Sequence, residues 1–577
     1  MNLFEHYHQK VISTLNDMIA KGSLPSGIDL SRVNCESPRD DKFGDMATNV
    51  AMVLAKPTQK SPLNLAQEIA IELEKDPDIA SASVVAPGFI NLVLPARIWQ
   101  SHLSCILDQK DHYGDGVLGK EQWVNIEYVS TNPTGPMHAG HARVAVVGDV
   151  LANLLKKAGF HVEKEYYIND AGGQIDVLAQ SVYLRYGQLL GQDVNEIPEG
   201  LYPGEYLIPV AQKIVDQYGD KWLKEDQSAW LETFRITATD AMMDLIREDL
   251  ALLGVQHDLF SSEKSLLEAG KVDAAIADLE KKGLVYTGTI EPPKGMVVED
   301  WEPREQLLFR ASDFGDDTDR PLKKSDGSWT YFASDIAYHK EKFSRHNAQL
   351  INVWGADHIG YIKRTTAAVK AVTDGKAEID VLICQLVNLF DNGQAIRMSK
   401  RAGNFVTLRE VVETVGKDVV RFMMLTRKND MTLDFDFARV KEFSKDNPVF
   451  YVQYAHARIC SVFRQLEGAA PELKHADFSL LDNSQELRLI KQLALWSKTI
   501  DLAARLHEPH KISFYLYELA SQLHVLWHQG KEDAALRFII PGNEALTRAR
   551  LALLQSVRYV LLSGLSVFGV TALEEMH

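Results

Sequence analysis

The chain has 577 residues, 46% hydrophobic and 24% charged, which is ordinary globular material and enough for three domains or more. Its formal net charge of −17 argues against nonspecific binding to polyanions but leaves room for a local positive surface that meets one nucleic acid. Four scattered cysteines (Cys35, Cys105, Cys384, Cys460) lack metal-ligand spacing and read as reduced thiols of a cytoplasmic protein. The start, Met1 to His6, has neither the basic nor the apolar part of a signal peptide, and no stretch reads as long and apolar enough to cross a membrane.

Residues 1–115 read as an α+β unit. Helical patterns at Glu5 to Lys21 and Asn64 to Leu73 precede a strand pair ending in Gly88 to Leu94, and Asp111 to Gly116 reads as a linker. Residues 116–440 show two βαβ halves. The first is a strand from Val124, a helix from about His138 to Lys157 stopped by Gly159, and a strand from His161 to Ile168. The second is Leu350 to Trp354, a helix near Ile359 to Val372, and one buried strand from Val381 to Leu389. Between the halves lies an insertion of about 183–293, largely helical by pattern. Acidic residues gather at Asp193 to Glu205 and at 298–305. Residues 441–577 are almost wholly helical, with periodic segments at Gln485 to Leu506, Ile512 to Gln529 and Asn543 to Leu562, a helix bundle. The predicted fold is multidomain α/β. A doubly wound parallel sheet, with ligand at the carboxyl ends of its strands, is flanked by an N-terminal α+β domain and a C-terminal α-helical bundle.

Two short segments carry chemistry. After the strand from Val124, a turn broken by Pro133, Gly135 and Pro136 leads to His138-Ala139-Gly140-His141 at a helix start. Free N–H groups and the helix dipole favour anionic oxygens there, and the glycine lets backbone approach a nucleotide. Two imidazoles three residues apart share a helix face and can donate to a phosphate that gains charge. Alone, this pattern is equally a cap and a surface residue. The second segment, Ile396 to Phe405, contains Arg397-Met398-Ser399-Lys400-Arg401. It follows a turn at Asp391-Asn392-Gly393 and precedes a helix start at Thr407, with Glu410 completing a capping box. Lys400 on a glycine-containing loop suits a leaving pyrophosphate; taken alone, the segment reads first as a solvated basic turn.

Together these segments resemble the HIGH and KMSKS motifs of class I aminoacyl-tRNA synthetases. Glu127 to His141, Tyr166 to Gly172, Phe314 to Asp317, Trp329 to Asp335 and Met398 to Phe405 narrow the resemblance to bacterial arginyl-tRNA synthetases, over nearly the whole chain. The resemblance implies a Rossmann-type catalytic domain that joins arginine to tRNA(Arg) in two steps. Arginyl-adenylate and pyrophosphate form first, and the terminal tRNA adenosine then takes the arginine. ATP would bring its own Mg²⁺, with no fixed protein metal site, and the protein would be a cytoplasmic monomer with no membrane partner.

The resemblance also nominates residues. His138, Gly140, His141, Met398, Ser399 and Lys400 would hold ATP, with His138, His141 and Lys400 stabilising charge. Glu127 and Asn132 would meet the amino and carboxyl end of arginine. Tyr331, Asp335 and Asp357 would line the guanidinium pocket. The bland readings are a helix cap for Asp335, an N-cap before Ile359 for Asp357 and core packing for Tyr331. A charge at Glu127 in a central strand is costly without a partner. For tRNA, Phe43, Asn49 and Asn91 match an elbow-binding stretch, with Phe89, Ile90 and Leu92 equally readable as strand core. Tyr451 and Tyr454 would stack on anticodon bases or line a bundle seam. In one departure from the family, many members carry a lysine three residues before His138 and lack the second-motif lysine; here Gly135 stands there and Lys400 is present. A small-molecule nucleotidyltransferase and a noncatalytic RNA-binding relative are the competing readings. The first has no use for two flanking domains, and the second usually carries damaged motifs.

Overall fold

The Asn2 side chain accepts hydrogen bonds from the N–H groups of Phe4 and Glu5 and so starts α1 (Leu3–Ala20). The computed structural model describes residues 2–576 except 39, 195, 290–303, 397–405, 443, 445–446 and 467–471. After α1 come β1 (Cys35–Glu36), β2 (Met46–Thr48), α2 (Val50–Thr58), α3 (Pro62–Leu73), β3 (Ser81–Val85), β4 (Phe89–Val93) and α4 (Ala96–Gln109). The strands form one antiparallel sheet in the order β1-β2-β4-β3. Strands as short as β1 and β2 show no alternation, so the sequence does not announce them. The segment read as a linker is a packed joint. Tyr113 is fully buried, and its carbonyl accepts from Trp496 Nε1 and Ser563 Oγ, both at 3.0 Å.

The catalytic sheet begins with β5 (Trp123–Tyr128), whose residues are buried from Val124 onward, as a central parallel strand requires. Next come α5 (Ala139–Lys157), β6 (His161–Ile168), α6 (Gly173–Leu189), α7 (Ile208–Tyr218), α8 (Gln227–Leu252), β7 (Leu259–Ser262), α9 (Glu263–Glu268), α10 (Lys271–Lys281) and β8 (Val285–Gly288). The region expected to be a helical insertion is therefore only partly so. Helices α6, α7 and α8 share their own core around Leu178, Tyr186, Trp230 and Phe234. β7, by contrast, pairs in parallel with β6 and is the edge strand of the main sheet. The chain continues through β9 (Gln306–Phe309), β10 (Arg320–Pro321), α11 (Tyr331–His346), β11 (Gln349–Gly355), α12 (Ile362–Val372) and β12 (Ile379–Cys384). The five-stranded order is β12-β11-β5-β6-β7, with every neighbour parallel. Connections leave β5 toward β6 on one side and return through β11 on the other. The switch point thus lies between β5 and β11, and in sheets of this kind ligands bind at the carboxyl ends beside it.

The single strand expected from Val381 to Leu389 is two. β12 ends at Cys384, and β13 (Val387–Asp391) belongs to a separate sheet with β14 (Gln394–Ala395) and β15 (Leu433–Asp436). The break has a cause far along the chain. The Gln385 N–H bonds to the Asn429 carbonyl at 2.8 Å, and the Gln385 carbonyl accepts from the buried Arg143 at 3.0 Å. Between β14 and β15 lie α13 (Leu408–Val415) and α14 (Lys417–Met423).

Four long helices end the chain: α15 (Pro448–Arg464), α16 (Ser484–Arg505), α17 (His510–Glu532) and α18 (Glu544–Phe568). α18 corrects the reading that no stretch could span a membrane. It is long and apolar enough, but 72% of its apolar window is buried within the protein, so its apolar surface serves as bundle core. The chain divides into two compact units. One is Met1–Gly116 with Pro448–Val567 and Thr571–His577; the other is Val117–Asn447 with Phe568–Val570.

Candidate active site

Both motif histidines sit where the turn after β5 enters α5. His138 is the N-cap, and its Nδ1 accepts from the Gly140 N–H at 3.1 Å. His141 Nδ1 accepts from the His138 N–H at 3.2 Å, and the two rings stack with centroids 3.6 Å apart. Because both Nδ1 atoms accept, the ring proton sits on Nε2, the donor that a phosphate oxygen needs. Gly140 is tightly packed: a Cβ there would lie 3.0 Å from His138 Cε1, so the ring would have to shift slightly. Gly135 is also confined. A Cβ there would lie 2.8 Å from the Tyr206 hydroxyl, which donates to the Thr134 carbonyl at 2.8 Å.

Met398, Ser399 and Lys400 lie outside the described residues, but the chain on either side is placed. Ile396 N–H bonds to the Leu389 carbonyl at 2.8 Å. On the far side the backbone returns to the first motif: Ala139 N–H donates to the Val406 carbonyl at 3.1 Å and Leu408 N–H to the Met137 carbonyl at 2.8 Å. His138 and Thr407 thus form an antiparallel bridge. Thr407 and Glu410 make the expected capping box that starts α13.

A cluster of buried acidic residues lies at the same end of the sheet. Glu127 is buried on β5, and its partner is Lys342 of α11, whose Nζ lies 2.9 Å from Oε2, while Ser130 Oγ donates to Oε1 at 3.0 Å. Burial pushes the Glu127 carboxyl up, but the Lys342 charge and these hydrogen bonds hold it below its ordinary range. Lys342 also donates to Asn352 Oδ1 at 3.0 Å. Asn352 in turn meets His339 Nε2 at 3.1 Å, and His339 Nδ1 donates to the Asp335 carbonyl at 2.8 Å. Burial drives His339 down to about 4, so it is neutral and the chain of bonds is fixed. Asp335 heads this chain one turn after Tyr331, on the shared face of α11 that the spacing implied. Burial and the charges of Glu127 and Glu263 push its carboxyl up to about 8, against the pull of Arg364 and Lys342. Tyr331 is half-exposed rather than core, and a Cβ on Gly172 would lie 2.6 Å from its hydroxyl.

Asn132 is held by Gln174 and Asn169: its Nδ2 donates to Gln174 Oε1 at 2.7 Å and its Oδ1 accepts from Asn169 Nδ2 at 3.1 Å. Asp357 lies inside the 3₁₀ turn Ala356–Tyr361 after β11, not at the N-cap of α12. Its side chain is 80% exposed and lies 3.4 Å from His358.

The residues matched to tRNA contacts divide by exposure. Phe43 is exposed, with Lys42 Nζ 4.9 Å from its ring centroid. The Asn49 side chain pins a loop, accepting from the Asn34 N–H at 2.9 Å and donating to the Arg32 carbonyl at 3.1 Å. Asn91 is buried within the sheet, beside Ile90 and Leu92, whereas Phe89 is exposed. Tyr451 and Tyr454 are half-buried on α15. Tyr451 packs on Tyr517 and His524, and Arg458 lies 4.2 Å over the Tyr454 ring.

Comparison with known proteins gives the family. The family model described as "tRNA synthetases class I (R), catalytic domain" matches residues 102–460. The chain belongs to the arginyl-tRNA synthetases. Models of the arginyl tRNA synthetase N terminal domain and the DALR anticodon binding domain match residues 5–94 and 452–576. An arginine–tRNA ligase of Ruegeria pomeroyi is 54% identical over the full length of both chains, and one of Nitrobacter hamburgensis is 55% identical over 100% of this chain and 99% of its own. The Thermus thermophilus arginyl-tRNA synthetase structure shares the fold, with a TM-score of 0.74 at 22% identity over all of both chains.

Three participants escape a reading from sequence. Glu263 follows β7, a four-residue strand with no alternating burial. It is 3% exposed, and its Oε2 is buried without a hydrogen-bond partner among the described residues. Lys342 and Asn352 come from α11 and β11, and only the parallel register that sets Asn352 beside Glu127 brings them together. A helical lysine four residues before the end of α11 gives no local sign that it will be buried.

Proposed function

We propose that arginine is activated in the crevice at the carboxyl ends of β5 and β11. As a class I arginyl-tRNA synthetase, the enzyme is an ATP-dependent arginine–tRNA ligase that releases AMP and pyrophosphate. The arginine carboxylate attacks the α-phosphate of ATP, and a ribose hydroxyl of the terminal tRNA(Arg) adenosine then attacks the adenylate. Neither step needs a protein nucleophile, so the protein supplies position and charge. His138 and His141 donate to phosphate oxygens from Nε2, beside Gly140. Lys400, with Met398 and Ser399, neutralises the departing pyrophosphate, and Mg²⁺ arrives with the nucleotide. Phe43 and Asn49 on the N-terminal unit, and Tyr451 and Tyr454 on α15, are the tRNA contacts this reading favours; the burial of Asn91 makes it a support for that surface.

The observation that carries the amino-acid assignment is the pocket around Asp335. The Glu127, Glu263 and Asp335 carboxyl groups act on one another there, Lys342 pairs with Glu127, and the charges of Arg364 and Lys342 do not offset the burial of Asp335. The unpartnered Glu263 oxygen and the Asp335 carboxyl need a cation with several donors, which a guanidinium presents edge-on. Glu127 and Asn132 take the amino and carboxyl end, and Tyr331 and Asp357 border the pocket. Asp335→Asn should raise the arginine KM by on the order of 10²-fold and leave the ATP KM nearly unchanged in pyrophosphate exchange. Equal changes in both constants would remove Asp335 from the pocket.

A further inference from the structure

The first-motif turn is held from behind by a carboxylate on a different helix. Asp249, on α8, is 1% exposed. Its Oδ2 accepts from the Met137 N–H at 3.4 Å, one residue before His138, and its Oδ1 lies 3.1 Å from Arg409 on α13. The Arg409 guanidinium also meets Glu248 at 3.3 Å. One side chain thus joins the residue before His138 to the helix that follows the Val406–Leu408 backbone pairing. Both partners stand against their local helix dipoles. Asp249 is an anion in the last turn of α8, and Arg409 is a cation in the first turn of α13. Neither placement helps its own helix. The Arg409 side chain is 36% exposed, and an ion pair with one partner in contact with solvent contributes little net stability. Burial pushes the Asp249 carboxyl up and Arg409 draws it back. The pair is therefore poorly explained as a stabilising device and well explained as a register pin.

We infer that Asp249 and Arg409 are positioning residues for ATP: their ion pair fixes the Met137–Ala139 backbone, and with it the aim of the His138 and His141 rings. The inference rests on the proposed phosphate role of those histidines. The arginine pocket hangs on Lys342, Asn352 and His339, and the pair makes no contact with them, so its loss should be felt by one substrate and not the other.

The test is pyrophosphate-exchange kinetics, with tRNA present, on Asp249→Asn, Arg409→Met, Arg409→Lys and the double variant Asp249→Asn with Arg409→Met. Asn keeps an acceptor for the Met137 N–H while removing the charge. Each of Asp249→Asn and Arg409→Met should raise the ATP KM about tenfold and the arginine KM less than about twofold. The double variant should be no worse than the worse single one, because both remove the same bond. Arg409→Lys should recover most of the loss. Equal rises in the two KM values, multiplying effects in the double variant, or unchanged kinetics would overturn the assignment. Absence of arginine-dependent exchange by the unaltered enzyme is a separate failure, of the site reading itself.

Discussion

A carboxyl with two other carboxyls as neighbours keeps its proton until a cation arrives. Asp335 is such a group, pushed up to about 8 first by burial and then by Glu127 and Glu263. At pH 7 roughly nine-tenths of it is protonated in the empty site. A guanidinium stabilises the carboxylate, draws that value down and displaces the proton. Arginine binding should therefore release close to one proton at pH 7 and far less at pH 9. Titration calorimetry in buffers of different ionisation enthalpy reads this number directly; heats independent of buffer would contradict it. Single residues were legible where a local rule applies. A charge at Glu127 in a central strand demands a partner, and the structure supplies Lys342. The identity of that partner, like that of Glu263, depends on strand order and register, which no local pattern encodes.

Elements were legible in proportion to how locally their ends are set. α5, β6 and α13 stand where the caps and Gly159 place them, because those signals are within a few residues of each boundary. The break between β12 and β13 was not, because Arg143 and Asn429 impose it from other elements. Arg143 of α5 is fully buried and donates to the carbonyls of Gln385 at 3.0 Å, Met431 at 2.6 Å and Lys428 at 2.9 Å. It ties the first-motif helix to the strand break that precedes the second motif. Arg143→Met leaves three carbonyls without their donors and should cost about 3 kcal/mol or more. Arg143→Lys, with one cationic donor group, should fall between. Denaturant unfolding measures both; a loss below about 1 kcal/mol for Arg143→Met would show that the carbonyls find other donors.

At the scale of the whole molecule, buried histidines set the acid limit. Burial holds His102, His257, His339 and His524 near 4, well below the ordinary 6.5. Between those values the unfolded chain takes up protons that the native chain does not. Their contribution is thus whole above pH 6.5 and is lost progressively as pH falls toward 4. Asp335 has the opposite sign with a comparably large shift, and Asp249, Glu263, Glu486 and Asp501 are raised by less, against the four histidines and a smaller downward shift at His456. The melting temperature should fall between pH 6.5 and 5, and a constant or rising value would contradict this balance. The net charge of −17 was a poor guide to partners, since recognition rests on local surface, and the apolar run in α18 was legible only as core once its neighbours were known. The site itself is the central claim, and arginine-dependent ATP–pyrophosphate exchange, run with and without tRNA, tests it most directly. The unaltered enzyme should exchange with arginine and scarcely with lysine or citrulline, and Lys400→Ala should lose on the order of 10²-fold or more. Exchange that proceeds equally with citrulline, or near-normal turnover by Lys400→Ala, would contradict the account.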